Sequence, residues 1–284
     1  MGAGASAPRD EVTLTAEAPG AGGADSFSES LRTNLQRLFL YASSSDVAVQ
    51  REVAERLANE AVLRARQEQI VQFGGLTLLV PLAQSRDVEV QRLATHALAN
   101  LSALPANQLA IAEVPGGLEV LGVLLSSGHA EVQRQAAKTV ANISVVPATM
   151  QAMAAKGCLP PLLAMLSSPH PRTRVEAIAA VSNLAVDDAN EQALVRGGAF
   201  EKLLAVLGAS PSAFQPPADL DTATQLARAL RNLTTDAGHA RQLLALGGRE
   251  ALACLESLRS ERVTQQCKVC AEHLQAALAA PPAQ

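Results

Sequence analysis

The sequence predicts an all-α solenoid of stacked helical units, and three observations carry that prediction. Apolar residues make up 48% of the 284, yet aromatics only 2%, with five Phe, one Tyr and no Trp. Such a core rests on Ala, Leu and Val, and Ala and Leu head the helix-propensity scale. Five segments then align: ERLANEA around Asn59, HALANLS around Asn100, KTVANIS around Asn142, AAVSNLA around Asn183 and RALRNLT around Asn232, spaced by 41, 42, 41 and 49 residues. Finally, Gly pairs punctuate the units at 74–75, 116–117, 197–198 and 247–248, with Gly157-Cys158 in the remaining place. A period near 42 with helical patterning marks units that bury a continuous core only by stacking.

The elements follow in chain order. Residues 1–25 carry Arg9 against Asp10, Glu11, Glu17 and Asp25, a net of −3, and are rich in Ala, Gly and Pro. They show no helical or strand period and read as a disordered acidic tail, unable to bury enough apolar surface to offset their ordering entropy. Order is expected from Ser26, where Ser26-Phe27-Ser28-Glu29 has the form of a capping box followed by Leu31, Leu35, Leu38 and Phe39. The solenoid is therefore assigned to residues 26–280, in about six repeats, the last from Gly247 being worn.

One unit shows the helices. Gly117–Leu125 reads as a short apolar helix, Ser126-Ser127-Gly128 as a turn, Ala130–Ser144 as a longer helix, and Ala148–Lys156 as a third. The positions ten, six and two before each Asn and one after are apolar, as in Val90, Ala94, Leu98, Leu101 and in Val132, Ala136, Val140, Ile143. At 100° per residue the Asn lies away from that stripe, beside the residues four, seven and eight before it.

This three-helix unit, with its Gly pair, its Val-Gln-Arg stretch and its Asn-Leu-Ser ending, resembles the armadillo repeat over roughly residues 30–278. The resemblance implies a right-handed superhelix whose third helices line a concave groove, as in importin alpha and beta-catenin. It implies that Asn100, Asn142, Asn183 and Asn232 hold the backbone of an extended peptide. An amide offers the donor and the acceptor that a peptide backbone needs. Asn59 fits less well, because Glu60 replaces the usual apolar successor.

Departures from the family shape the ligand. Importin alpha places a Trp four residues before the Asn; here those places hold Glu55, His96, Lys138, Ala179 and Arg228. Lysine-rich import signals are disfavoured, and an importin-like transport adapter is only the alternative reading. Eight before the Asn stand Arg51, Arg92 and Arg134, then Val175 and Thr224. Arg51, Arg92, Arg134, His96 and Lys138 together suggest a basic strip that prefers an acidic partner. Glu52, Glu89 and Glu131 nearby leave a solvated, ion-paired helix face as the competing reading.

Other features carry less. The net charge of −4 and scarce aromatics argue against nucleic acid. Four cysteines in so long a chain, without a secretory signal, read as reduced thiols in the cytoplasm, with the nucleus or the surface of an intracellular membrane as alternatives. Met1-Gly2-Ala3-Gly4-Ala5-Ser6 fits the myristoylation pattern and resembles the acyl-anchored start of the yeast vacuolar armadillo protein. One acyl chain gives only weak membrane association. Cys267, Cys270 and His273 read as a packed helix edge and not a zinc site, since no second ligand pair exists. His170 and His239 fall at turns with no Ser, Cys or carboxylate expected beside either. Asn-x-Ser/Thr at 100, 142 and 232 matches glycosylation sequons by letter alone. The loop Gly208–Asp219 is read as an insertion on one rim, with Phe214 as a candidate exposed anchor. No catalytic constellation or cofactor motif emerges, and the expected function is a non-enzymatic protein-binding scaffold.

Overall fold

The computed structural model describes Thr33, Leu38 and residues 46–280. The tail over 1–25, the capping box at Ser26 and Gly2 lie outside the described residues. Among those described there are sixteen α-helices and no strand.

The chain enters on α1 (Val47–Val62), the third helix of the first unit. Five full units follow: α2 (Arg64–Gln72), α3 (Gly75–Ala83) and α4 (Val88–Ser102); α5 (Pro105–Glu113), α6 (Gly117–Leu125) and α7 (Ala130–Ile143); α8 (Pro147–Ala155), α9 (Leu159–Met165) and α10 (Pro171–Leu184). Then come α11 (Asp188–Arg196), α12 (Ala199–Ala205) and α13 (Leu220–Asn232), and α14 (Ala237–Ala245), α15 (Gly248–Glu256) and α16 (Glu261–Ala279). The third helices α1, α4, α7, α10, α13 and α16 pack each on the next, making one layer, and the second helices lie against it. The apolar stripe forms the seam: Val90, Ala94, Leu98, Leu101, Val132, Ala136, Val140 and Ile143 are all buried.

Local chemistry sets the ends. Asp46, Asp87, Asp187, Asp219 and Asp236 cap helices, each carboxylate accepting from a backbone N–H in the first turn. Pro105 and Pro147 open first helices, where a missing N–H costs nothing. Pro147 thus starts α8, one residue before the start expected from the sequence.

Each Gly pair does two jobs. Gly116 has φ +77°, a left-handed joint between α5 and α6. Gly117 has an ordinary φ, but a Cβ there would lie 2.4 Å from the Ile111 carbonyl oxygen.

A second polar row, absent from the sequence reading, ties the first helices together. Asn107 Nδ2 donates to the Gln67 carbonyl at 3.0 Å, and Asn190 Nδ2 to the Met150 carbonyl at 3.1 Å. One unit on, His239 Nδ1 bonds the Glu191 carboxylate at 2.8 Å, with side-chain exposures of 16% and 4%. Glu191 also accepts from the Thr235 hydroxyl and from the Asp236 N–H. The carboxylate beside His239 comes from 48 residues upstream, brought in by stacking, which the sequence alone does not show. The Thr235 hydroxyl meets the carboxylate and not the imidazole, so no nucleophile–base relay exists there.

The insertion also departs from expectation. Phe214 packs on the core and is not an exposed anchor. Gln215 N–H donates to the Leu207 carbonyl at 2.8 Å, and Pro211 rests against Gly247. The loop is folded back onto the start of α15.

Two predictions arise from this packing. The outer face of α16 exposes Arg262, Gln265, Lys268 and Glu272, a polar end cap of the kind solenoids require. Deleting residues from Gly247 onward strips that cap and uncovers α13, and size-exclusion chromatography is expected to show aggregates where the full chain elutes as one species. The thiols of Cys158, Cys267 and Cys270 are buried, which pushes them up to about 11, about 12 and about 11. At pH 8 they stay protonated and shielded, so iodoacetamide followed by mass spectrometry is expected to label the half-buried Cys254 first.

Candidate functional site

The exposed face of the third-helix layer brings the predicted residues into columns, one per helix. From N- to C-terminal end the α4 column reads Arg92, His96, Asn100, and the α7 column reads Arg134, Lys138, Asn142. Intervals of four residues keep each set on one side of its helix.

The amides divide into two kinds. Asn183 is 7% exposed; its Nδ2 donates to the Ala141 carbonyl at 2.8 Å, and its Oδ1 accepts from Arg228. Asn232 is 5% exposed; its Nδ2 donates to the Ser182 carbonyl at 2.7 Å, and its Oδ1 accepts from Arg231 Nε at 3.0 Å and Nη2 at 2.7 Å. Both amides and Arg228 are stitches between adjacent third helices, with the oxygen and the nitrogen of each amide already engaged by the fold. Burial lowers the pKa of Arg228, and neighbouring Arg231 adds to that.

Asn100 and Asn142 are only half-buried. Asn142 Nδ2 donates to Ser102 Oγ at 2.9 Å, and Ser102 donates onward to the Ala99 carbonyl at 2.8 Å. Asn100 Nδ2 lies 3.3 Å from His96 Nε2. Neither Oδ1 has a partner among the described residues, and each keeps a free N–H. These two amides present the donor and acceptor that an extended backbone needs.

The Ser or Thr two residues beyond the Asn, noticed in the sequence only as part of a sequon, has a role here. Ser102 receives Asn142, and Thr234 Oγ1 meets His273 Nδ1 at 3.3 Å in the last unit. His273 occupies the place of the Asn in α16, which accounts for its packing beside Cys270.

The strip of cations differs from the expected one. Arg51 grips Asp87 of the next unit, Nη2 to Oδ2 at 2.6 Å, and with the Val90 amide this holds Asp87 at about 2. Arg92 pairs with Glu89 and Arg134 with Glu131, each at 2.6 Å across three residues. The three arginines thus form a row of ion pairs and not a free basic surface. His96 adds little to the strip: burial pushes its pKa down, and Arg92 adds to the effect. Lys138 has no hydrogen bond or ion pair among the described residues. Beside it, burial pushes the Glu176 carboxyl up, against the pull of Lys138 and Arg134.

The available chemistry therefore gathers in units two and three, on Asn100, Asn142 and Lys138. Exposed pairs such as Arg92–Glu89 are worth only about 0–1 kcal/mol, so an incoming carboxylate exchanges with them at little cost.

Known proteins share both the repeat and the fold. The armadillo/beta-catenin-like repeat profile matches residues 66–103, 105–145 and 151–186. An engineered protein of known crystal structure is 30% identical, with a TM-score of 0.74 over 86% of this chain and 97% of that one. A computationally designed armadillo repeat protein for modular peptide recognition is 24% identical, with a TM-score of 0.74 over 84% of this chain and 99% of that one. A designed armadillo repeat protein in complex with the peptide (KR)4 gives a TM-score of 0.72 at 24% identity, over 84% and 99% of the two chains. No curated protein sequence matches the chain. The repeat profile and the fold agree with the three-helix units described above, and the chain belongs to the armadillo-repeat family.

Proposed function

We propose that the protein is a non-enzymatic cytoplasmic scaffold that holds an extended segment of another protein along the third-helix face, through Asn100, Asn142 and Lys138. The observation that carries this reading is the split among the amides. Two have both polar ends engaged by the fold, and two are half-buried with a carbonyl oxygen that has no partner among the described residues. An unpaired oxygen in a repeated column serves a ligand better than it serves the fold.

The ligand chemistry follows from the cations. Lys138 is unpaired, and the arginines accept new carboxylates at small cost. A Lys/Arg-rich peptide of the kind bound by the designed relative would meet Lys138 and three arginines. We therefore assign an acidic segment. The test is capture of displayed peptides by the immobilised full chain. Retained peptides are expected to be enriched in Asp and Glu and to be lost from Lys138→Glu. Retention of equally basic and acidic sequences would contradict the assignment.

Gly2 acylation is part of this proposal. Mass spectrometry of protein made beside the transferase is expected to show Met1 removed and a fatty amide on Gly2. A free or acetylated terminus would end the idea.

A further inference from the structure

The last residue of α1 and the turns that follow α4, α7 and α10 carry an exposed apolar row that recurs with the repeat. Three residues beyond Asn59, Asn100, Asn142 and Asn183 stand Val62, Ala103, Val145 and Val186. Val62 is 59% exposed, Val145 53% and Val186 59%, and Ala103 is exposed too. Tight turns ordinarily hold Gly, Asn, Asp or Ser, whose side chains or backbone freedom satisfy the bend. Single exposed valines are common on a protein surface. Four apolar residues in register along a solenoid, with units ~8–10 Å apart, form a rail roughly 30 Å long.

We propose that the third-helix face is polarised across its width and selects an extended segment in which apolar and acidic residues alternate. This deepens the peptide-binding reading above and rests on it. On α7, Lys138 lies four residues before Asn142, and Val145 follows three residues after it. Lys138 to Asn142 spans ~6 Å along the helix at 1.5 Å per residue, and Val145 lies in the turn just past the end of α7. An extended chain sends successive side chains to opposite sides, each reaching ~5 Å, half the ~10 Å spacing of stacked sheets. A backbone centred on the amides therefore puts one side chain toward the cationic edge and the next toward the valine rail.

The axial repeat agrees. Two extended residues span at most ~7 Å, and an inner curved surface shortens the ~8–10 Å between helices toward that value. The unit that holds Lys138 and Val145 then meets one acidic and one apolar residue. The unpaired Lys138 fixes which edge takes the acid, and the occupant is a segment of a partner protein with that alternation.

Three synthetic octapeptides test this by fluorescence anisotropy against the full chain. The first alternates aspartate and leucine, the second joins a block of aspartates to a block of leucines at equal composition, and the third alternates lysine and leucine. The expected result is that the alternating acidic peptide binds at least about ten-fold more tightly than either of the others. Val145→Ser with Val186→Ser is expected to weaken that peptide about ten-fold without moving the thermal unfolding curve, because both side chains are solvent-exposed. Equal binding of the alternating and block acidic peptides, or rail variants with unchanged affinity, would overturn the polarity. So would absence of binding by the alternating acidic peptide at millimolar concentration. The peptide-binding reading survives any of these results if peptides selected from the displayed library lose affinity in Asn100→Ala with Asn142→Ala, and it falls if they do not.

Discussion

Glu191→Ala is expected to cost about 1–3 kcal/mol of stability for each buried group left without its hydrogen-bond acceptor. The truncation leaves His239, the Thr235 hydroxyl and the Asp236 N–H without their shared acceptor, in a site where Glu191 is only 3% exposed. Because solenoid stability is close to a sum of unit and interface terms, the damage should localise to the junction of α11 and α14. Urea unfolding should lose its single transition, with α14–α16 exchanging amide hydrogens ahead of α4–α10. Glu191→Gln keeps acceptor oxygen at the same place and should recover about half of the loss. An Ala variant that unfolds at the same urea concentration as the parent chain would show that the cluster contributes nothing net.

Asn100→Ala combined with Asn142→Ala is expected to weaken binding of a retained acidic peptide about five- to a hundred-fold. That range follows from one hydrogen bond per amide at roughly 0.5–1.5 kcal/mol each. Helicity should barely move, and stability should fall by no more than the roughly 0.5–1.5 kcal/mol of the Asn142–Ser102 bond, since neither lost oxygen has a partner in the free protein. Asn183→Ala with Asn232→Ala should behave in the opposite way. It breaks bonds to Ala141 and Ser182, strands the guanidinium of Arg228 and leaves Arg231 with only Gln266, so stability should fall by several kcal/mol before any peptide is added. Equal effects of the two pairs on both measurements would erase the distinction between binding and stitching amides.

Much of the architecture was legible because it depends on local periodicity. The spacing of Val90, Ala94, Leu98 and Leu101 identifies the buried seam of a helix without reference to any other segment, and all four are buried. The Gly pairs and the Asn columns were legible for the same reason. What stayed hidden depends on contacts one repeat apart. Arg228 is four residues before Asn232 in sequence, yet its guanidinium serves Asn183 of the unit before, and only stacking reveals that. The Glu89–Arg92 and Glu131–Arg134 pairs lie within one helix and could be anticipated, whereas Arg51 bypasses Glu52 for Asp87, 36 residues on. The inward packing of Phe214 is not legible either, because an inserted loop has no period to show which way its side chains turn.

The central claim is that Asn100 and Asn142 receive the backbone of a bound segment while Asn183 and Asn232 belong to the fold. The most direct measurement follows the side-chain amide signals of these four residues in ¹H–¹⁵N spectra during titration with a peptide retained by the full chain. The signals of Asn100 and Asn142 are expected to shift and saturate with the binding curve, and those of Asn183 and Asn232 to stay in place. Saturable binding that leaves Asn100 and Asn142 unmoved, while residues of the first or second helices shift, would contradict the account.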